Sequence, residues 1–211
     1  GVLRKNERIT FAVIGCVGLS GAHINTILRL IEEGENTAIT AVCDIYRPRM
    51  EKAKERTGGR GTMLHEELLS WDDVDVVLAT GPDHWHGYHA LDAMRAGKDV
   101  YCEKPLCHWS QIELPFRLVD TARETGRLIQ IGTQWMSIKA YHQAKEMIEA
   151  GAIGKPLMAE TGYYRVGDWG ERGMPVDDWD AKPGPDLDWE RYLAADCPRR
   201  SEEHTSELQS L

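Results

Sequence analysis

Between residues 9 and 131, short apolar runs alternate with stretches of helical spacing. Each of the five apolar runs is followed by glycine or by a polar residue able to do chemistry. That alternation is the pattern of βαβ units, which build a parallel sheet with right-handed crossovers. Ile9 to Ile14 suits a buried parallel strand and stops at Gly15. Ile24, Ile27, Leu28 and Ile31 recur at helical spacing, with Gly34 as the stop. Further strands are predicted over Thr37 to Cys43, Val74 to Ala79, Asp99 to Cys102 and Leu128 to Ile131. Helices are predicted over Arg47 to Thr57 and Gly87 to Ala96, with Leu91 and Met94 inward, and within 110–125. Pro115 is tolerated only in a first turn, so the last of these starts near Leu114 or is kinked there.

The first domain therefore ends near Thr133, giving a Rossmann-type α/β domain over 1–133. Beyond it, Ser137 to Ala150 reads as a helix and Leu157 to Arg165 as a strand. The stretch 166–199, rich in Trp, Pro, Gly and Asp, reads as a long ordered loop. Residues 134–199 are then the start of a second domain. Residues 200–211 read as the translation of a common sequencing adapter and are set aside from fold reasoning. On that reading the natural chain continues past this point. It also begins at Gly1 rather than methionine, so an upstream segment can have been lost, and export stays open.

Composition excludes some classes. The net charge of −9 comes with no basic stripe, which argues against nucleic acid and anionic membranes as partners. No apolar run approaches the roughly 18 residues that span a bilayer. Five cysteines, an odd number without scaffold spacing and partly inside strand-like runs, fit a reduced, cytoplasmic compartment.

The chemistry gathers at three strand ends, the edge where open α/β sheets bind ligands. The first carries Gly15, Gly18 and Gly21, where backbone N–H groups can approach a pyrophosphate at a helix N-terminus. The register is G-x-x-G-x-x-G, with Val17 where the second glycine of G-x-G-x-x-G is expected and Ser20 at the third. A tight turn without a ligand has the same appearance. Asp44 ends the second strand at the distance expected of a ribose-binding acid. Such a carboxylate accepts from the adenosine ribose hydroxyls and repels a 2′-phosphate. NAD is therefore favoured, while Arg47 and Arg49 keep NADP open. An ordinary strand-end acid is the alternative for Asp44. Asp83, His84, His86 and His89 invite a metal reading, but His84 and His86 should point apart, and no metal is expected. Trp85, Trp135, Trp169 and Trp179 can pack in a core or stack on sugar rings.

Thr80-Gly81-Pro82-Asp83-His84-Trp85-His86, Glu103-Lys104-Pro105 and Gly132-Thr133-Gln134 together resemble the glucose–fructose oxidoreductase/inositol dehydrogenase family (Gfo/Idh/MocA). The resemblance spans about residues 8 to 199, and Ile148 to Pro156 and Pro183 to Leu193 also fit it. It implies a dinucleotide-binding domain followed by an α/β domain with a mostly antiparallel sheet, here incomplete. It implies hydride transfer between NAD(P) and a sugar, polyol or related substrate, in a homo-oligomer. It also implies that Lys104 touches the reacting hydroxyl and that Glu103 contacts the nicotinamide ribose. Pro105 would fix the turn, with a cis bond as one way to do so; Pro82, Asp83 and His86 would line the nicotinamide end; Gln134 would sit near the domain junction. The family pattern is Ala-Thr-Pro-Asp, so Gly81 is a departure that leaves the role of Thr80 open. The family's second catalytic stretch is not found before residue 200, and an incomplete second sheet would leave Leu157 and Tyr163 uncovered, so the fragment alone is expected to be inactive and prone to aggregate. An NAD-dependent glycoside hydrolase of the same family and a non-catalytic NAD-binding regulator are the alternative functions.

Overall fold

A computed structural model of the chain describes residues 8–162 and 178–193. They fall into two compact units, the first comprising residues up to 132 together with the segment 182–193, the second the described residues 133–162 and 178–181.

The first unit is built on six strands: β1 (Ile9–Ile14), β2 (Thr37–Cys43), β3 (Arg60–Thr62), β4 (Val76–Ala79), β5 (Asp99–Glu103) and β6 (Ile129–Gly132). Every neighbouring pair is parallel, in the order β3-β2-β1-β4-β5-β6. This is the doubly wound dinucleotide-binding order, whose direction reverses between β1 and β4 and opens a crevice there. The crossovers are α1 (Leu19–Glu32), α2 (Arg47–Thr57), α3 (His65–Leu69), α4 (Asp83–Arg95) and α5 (Leu114–Thr125).

Because side chains alternate along a strand, β1, β2 and β4 each feed two cores. Val13, Val42 and Leu78 pack with Ile24 and Ile27 of α1 and Met50 and Ala53 of α2. Ala12, Ile14, Val77, Ala79, Val100 and Cys102 pack on the other side, with Leu91 and Met94 of α4 and Leu114 and Leu118 of α5. Burial on both faces explains why these strands read as continuous apolar runs.

The strands and helices agree with the sequence expectations to within a few residues, with four differences. β3 and α3 are not visible in the sequence pattern. Arg60-Gly61-Thr62 has no apolar run, and it pairs only along Ala41 to Cys43. Helix α4 begins four residues earlier than expected, at Asp83. Pro82 caps it in an extended conformation, and Asp83 puts a negative charge on the first turn. Residues 157–162 form no strand, since the described part of the second unit offers no strand to pair with; Leu157 is 88% exposed. The remaining residues of that expected strand, 163–165, lie outside the described residues.

The expected long loop, where described, contains α7 (Trp189–Leu193), and residues 182–193 are tied to the first unit. Leu187 and Tyr192 are buried, and Tyr46 and Leu187 form an antiparallel bridge. In the second unit α6 (Lys139–Glu149) has no buried residue. The tail 200–211, Trp169 and Cys197 lie outside the described residues. Among the described residues no helix is long and apolar enough to cross a membrane.

Candidate functional site

At the end of β1 the chain turns through Gly15, with φ +88°. A Cβ placed there would lie 2.6 Å from the Gly81 Cα and 2.7 Å from the Thr80 carbonyl carbon. The tips of β1 and β4 therefore meet backbone to backbone at the crevice. Thr80, buried, stitches them together: its Oγ1 donates to the Ile14 and Gly15 carbonyls at 3.0 and 2.7 Å. The departure at Gly81 thus leaves Thr80 in a structural role, holding two strand ends in contact.

Gly18 caps α1, and both Gly18 and Gly21 face open space where a Cβ would stand. The first-turn amides of a helix have no intrahelical carbonyl to donate to, and the helix dipole favours an anion there. Val17, in place of the second fingerprint glycine, is 42% exposed, so it takes no part in the core. Ser20 is fully buried, and its hydroxyl donates to the Val17 carbonyl at 3.0 Å, bracing the turn. Asp44, at the end of β2, is buried. Its two oxygens accept from the amides of Cys16 at 2.8 Å and Tyr46 at 2.9 Å. The acid thereby joins the glycine turn to the β2 tip. Burial, reinforced by Asp44 and then Cys43, pushes the Cys16 thiol well above its ordinary value, so this cysteine in the turn stays protonated.

Glu103 and Lys104 follow β5. Glu103 is buried, and its Oε1 accepts from Nε2 of His23 on α1 at 2.8 Å, while Oε2 accepts from the Lys104 amide at 3.1 Å. Lys104 is exposed, and its amine makes no hydrogen bond or ion pair among the described residues. The Lys104–Pro105 bond is cis. His86 is buried beneath this loop, and its Nδ1 donates to the Pro105 carbonyl at 2.7 Å. It therefore holds the lysine loop from below. Pro82 and Asp83 sit at the start of α4, Asp83 exposed. Gln134 belongs to the second unit, exposed in the turn 134–137.

His84 and His89 are tied into the packing of the first unit. His84 Nε2 donates to the Tyr192 carbonyl at 2.5 Å, and Trp85 Nε1 donates to the carbonyls of Arg191 and Tyr192. His89 stacks on Trp85 at 5.0 Å. Its pKa is driven well below the ordinary histidine value by burial, then by His65, His86, His84 and Arg191. Among the described residues no group of His, Cys, Asp and Glu side chains could hold a metal ion. Two members of the site escaped sequence reasoning. His23 carries no motif of its own, and its only sequence signal is a histidine in the helix that follows the glycine turn. Within the segment 182–193, Asp186 lies 139 positions from its partner Arg47, and no local pattern announces that contact.

Known proteins resemble the chain over the same part of the sequence. A family described as "Oxidoreductase family, NAD-binding Rossmann fold" matches residues 9–133. Inositol 2-dehydrogenase 3 of Saccharopolyspora erythraea is 35% identical over 152 residues, which is 72% of this chain and 44% of that protein. A solved structure of KijD10, a 3-ketoreductase from Actinomadura kijaniata in complex with NADP and TDP-benzene, superposes with a TM-score of 0.59 at 31% identity, covering 71% of this chain and 46% of that one. The WlbA dehydrogenase of Chromobacterium violaceum, solved with NADH and UDP-GlcNAcA, shares the fold at 24% identity and TM-score 0.64, over 72% of this chain and 42% of that one. The chain thus spans less than half the length of these relatives.

Proposed function

The chain belongs to the Gfo/Idh/MocA oxidoreductase family, and from that premise we propose that it carries the coenzyme-binding part of an enzyme moving a hydride between NAD(P) and a sugar, polyol or related substrate. The observation that carries this reading is the meeting of three strand tips at one crevice. Gly15 lies against Thr80–Gly81, and Glu103 is tied back to α1 through His23. The polyol class is supported by the inositol dehydrogenase relative and the 3-ketoreductase structure.

The residues present fit a dinucleotide. The open first turn of α1 at Gly18 suits the pyrophosphate, Asp44 the adenosine ribose, and Glu103 the nicotinamide ribose. When bound, NAD(P) supplies the hydride acceptor or donor. His23 and the Lys104 amide hold the Glu103 carboxylate in one orientation. In this reading Lys104 Nζ, unpaired among the described residues, polarises the reacting substrate oxygen or takes its proton. A pairing of Lys104 with Glu103 would have spent that amine. Glu103 instead pairs with His23. His86 keeps the loop that presents the lysine in place.

In this proposal residues 1–133 are the coenzyme domain and 134–199 open the substrate domain, except that 182–193 pack with the first unit. The division of the chain at residue 132 supports the first of these. Free cysteines buried in β2 and β5 support a reduced, cytoplasmic setting; burial pushes the Cys102 thiol up to about 12. The test is titration of the purified chain with NADH, followed by amine labelling and mass spectrometry. Saturable binding that shields Lys104 is expected. Binding without protection of Lys104 would remove it from the site, and absence of binding would refute the coenzyme reading.

A further inference from the structure

We propose that Asp186 biases the site toward NAD by holding Arg47 away from the place a 2′-phosphate would occupy. This deepens the coenzyme reading above and rests on it, because it takes Asp44 as the mark of the adenosine ribose.

A coenzyme carrying a 2′-phosphate needs a cation beside that ribose, and arginine is the side chain best shaped for it. The chain has a candidate in place. Arg47 is the first residue of α2, three positions after Asp44. Its guanidinium is committed elsewhere. Nε donates to Asp186 Oδ1 at 2.8 Å, and NH2 donates to the Pro185 carbonyl at 3.2 Å. Its main-chain amide donates to the Asp186 carbonyl at 2.8 Å. Arg49, the second arginine, lies over the Tyr46 ring at 5.7 Å. The known relatives leave the preference open, since one solved structure holds NADH and another NADP.

Two features make Asp186 a specificity residue rather than a mere tether. The returning segment has other anchors: the Asp188 amide donates to the Ile45 carbonyl at 3.0 Å, Tyr46 bridges Leu187, and Leu187 is 2% exposed. Loss of the Asp186 carboxylate therefore frees Arg47 without releasing the segment. The pair is also exposed, with side-chain exposures of 49% for Arg47 and 68% for Asp186. A pair this wet is weak, so its guanidinium can be redirected by a stronger anion once the carboxylate is gone.

The experiment titrates the purified chain with NADH and NADPH by nicotinamide fluorescence. Four proteins are compared: the native chain, Asp186→Ala, Asp186→Asn, and Arg47→Ala combined with Asp186→Ala. Both single variants should bind NADPH about threefold to tenfold more tightly while NADH affinity stays within about twofold. The double variant should lose the gain. Asp186→Asn keeps the shape of the side chain, so it carries the test if alanine disturbs the fold. NADH binding with an unchanged NADPH-to-NADH ratio in both single variants overturns the assignment of Asp186. A gain that persists in the double variant overturns the role of Arg47. Binding of neither coenzyme by the native chain overturns the coenzyme reading, and this inference with it.

Discussion

Replacing Gly15 by alanine perturbs the point where β1 and β4 meet. The new Cβ would stand 2.6 Å from the Gly81 Cα and nitrogen and 2.7 Å from the Thr80 carbonyl carbon. These are backbone atoms, so no side chain can rotate away. The strand tips must separate, and separation breaks the Thr80 hydroxyl contacts to Ile14 and Gly15. Overpacking of this kind costs about 1–3 kcal/mol. A non-glycine residue at φ +88° adds about 1–2 kcal/mol. The sum is about 2–5 kcal/mol. Gly58→Ala is the matched control. It has φ +70° at the C-cap of α2 with nothing within 4 Å of its Cβ, so only the backbone cost of about 1–2 kcal/mol remains. Urea denaturation of both variants, followed by circular dichroism, measures the difference. Gly15→Ala should be the less stable by at least about 1 kcal/mol, and should bind NADH more weakly. Equal stabilities would refute the close approach at the crevice and the geometry built on it.

Further consequences can be measured on the same chain. His89 is held neutral by burial, so the unfolded chain takes up a proton that the folded chain refuses. Its contribution to stability is present above the ordinary histidine value of about 6.5 and is lost as pH falls below it. The melting temperature should therefore drop between about pH 7 and pH 5, and His89→Gln should flatten that drop; an identical slope in both proteins would count against the buried neutral ring. Asp44→Ala leaves the Cys16 and Tyr46 amides without their acceptor and should destabilise the chain by about 2–3 kcal/mol while weakening NADH binding; unchanged stability would show that the carboxylate does not join the two tips. Trp85→Phe removes the donor to the Arg191 and Tyr192 carbonyls at a cost of about 1 kcal/mol, and amide exchange should quicken over 187–193; unaltered exchange there would mean the indole does not anchor the segment.

Strands β1, β2 and β4 were legible because each is buried on both faces, which leaves apolar runs ending in a glycine or a polar residue. Thr37–Cys43 follows this logic with boundaries as expected. What escaped lacks a local period. β3 is three residues with one buried side chain, and α3 is five residues long. Leu157 onward has the composition of a strand, but a strand exists only where another can pair with it, and composition does not record partners. Motif matching pointed to the three loops while leaving their internal wiring unseen. Nothing local to Glu103 indicates that His23 binds it, and nothing local to His86 indicates that its ring holds the Pro105 carbonyl. Such contacts join residues 19 to 80 positions apart. The nearest hint to the segment 182–193 was its resemblance to the family, which said that it belonged without saying where it packs.

Occupancy of the crevice by a dinucleotide, with its redox ring beside Lys104, is the claim on which the rest depends. A crystal structure of this chain grown with NADH tests it directly. The account predicts the pyrophosphate over the first turn of α1 at Gly18, Asp44 within hydrogen-bonding distance of the adenosine ribose, and the Lys104 amine facing the nicotinamide. A nucleotide bound away from the β1–β4 crevice, or a Lys104 amine directed away from the ring, would contradict it.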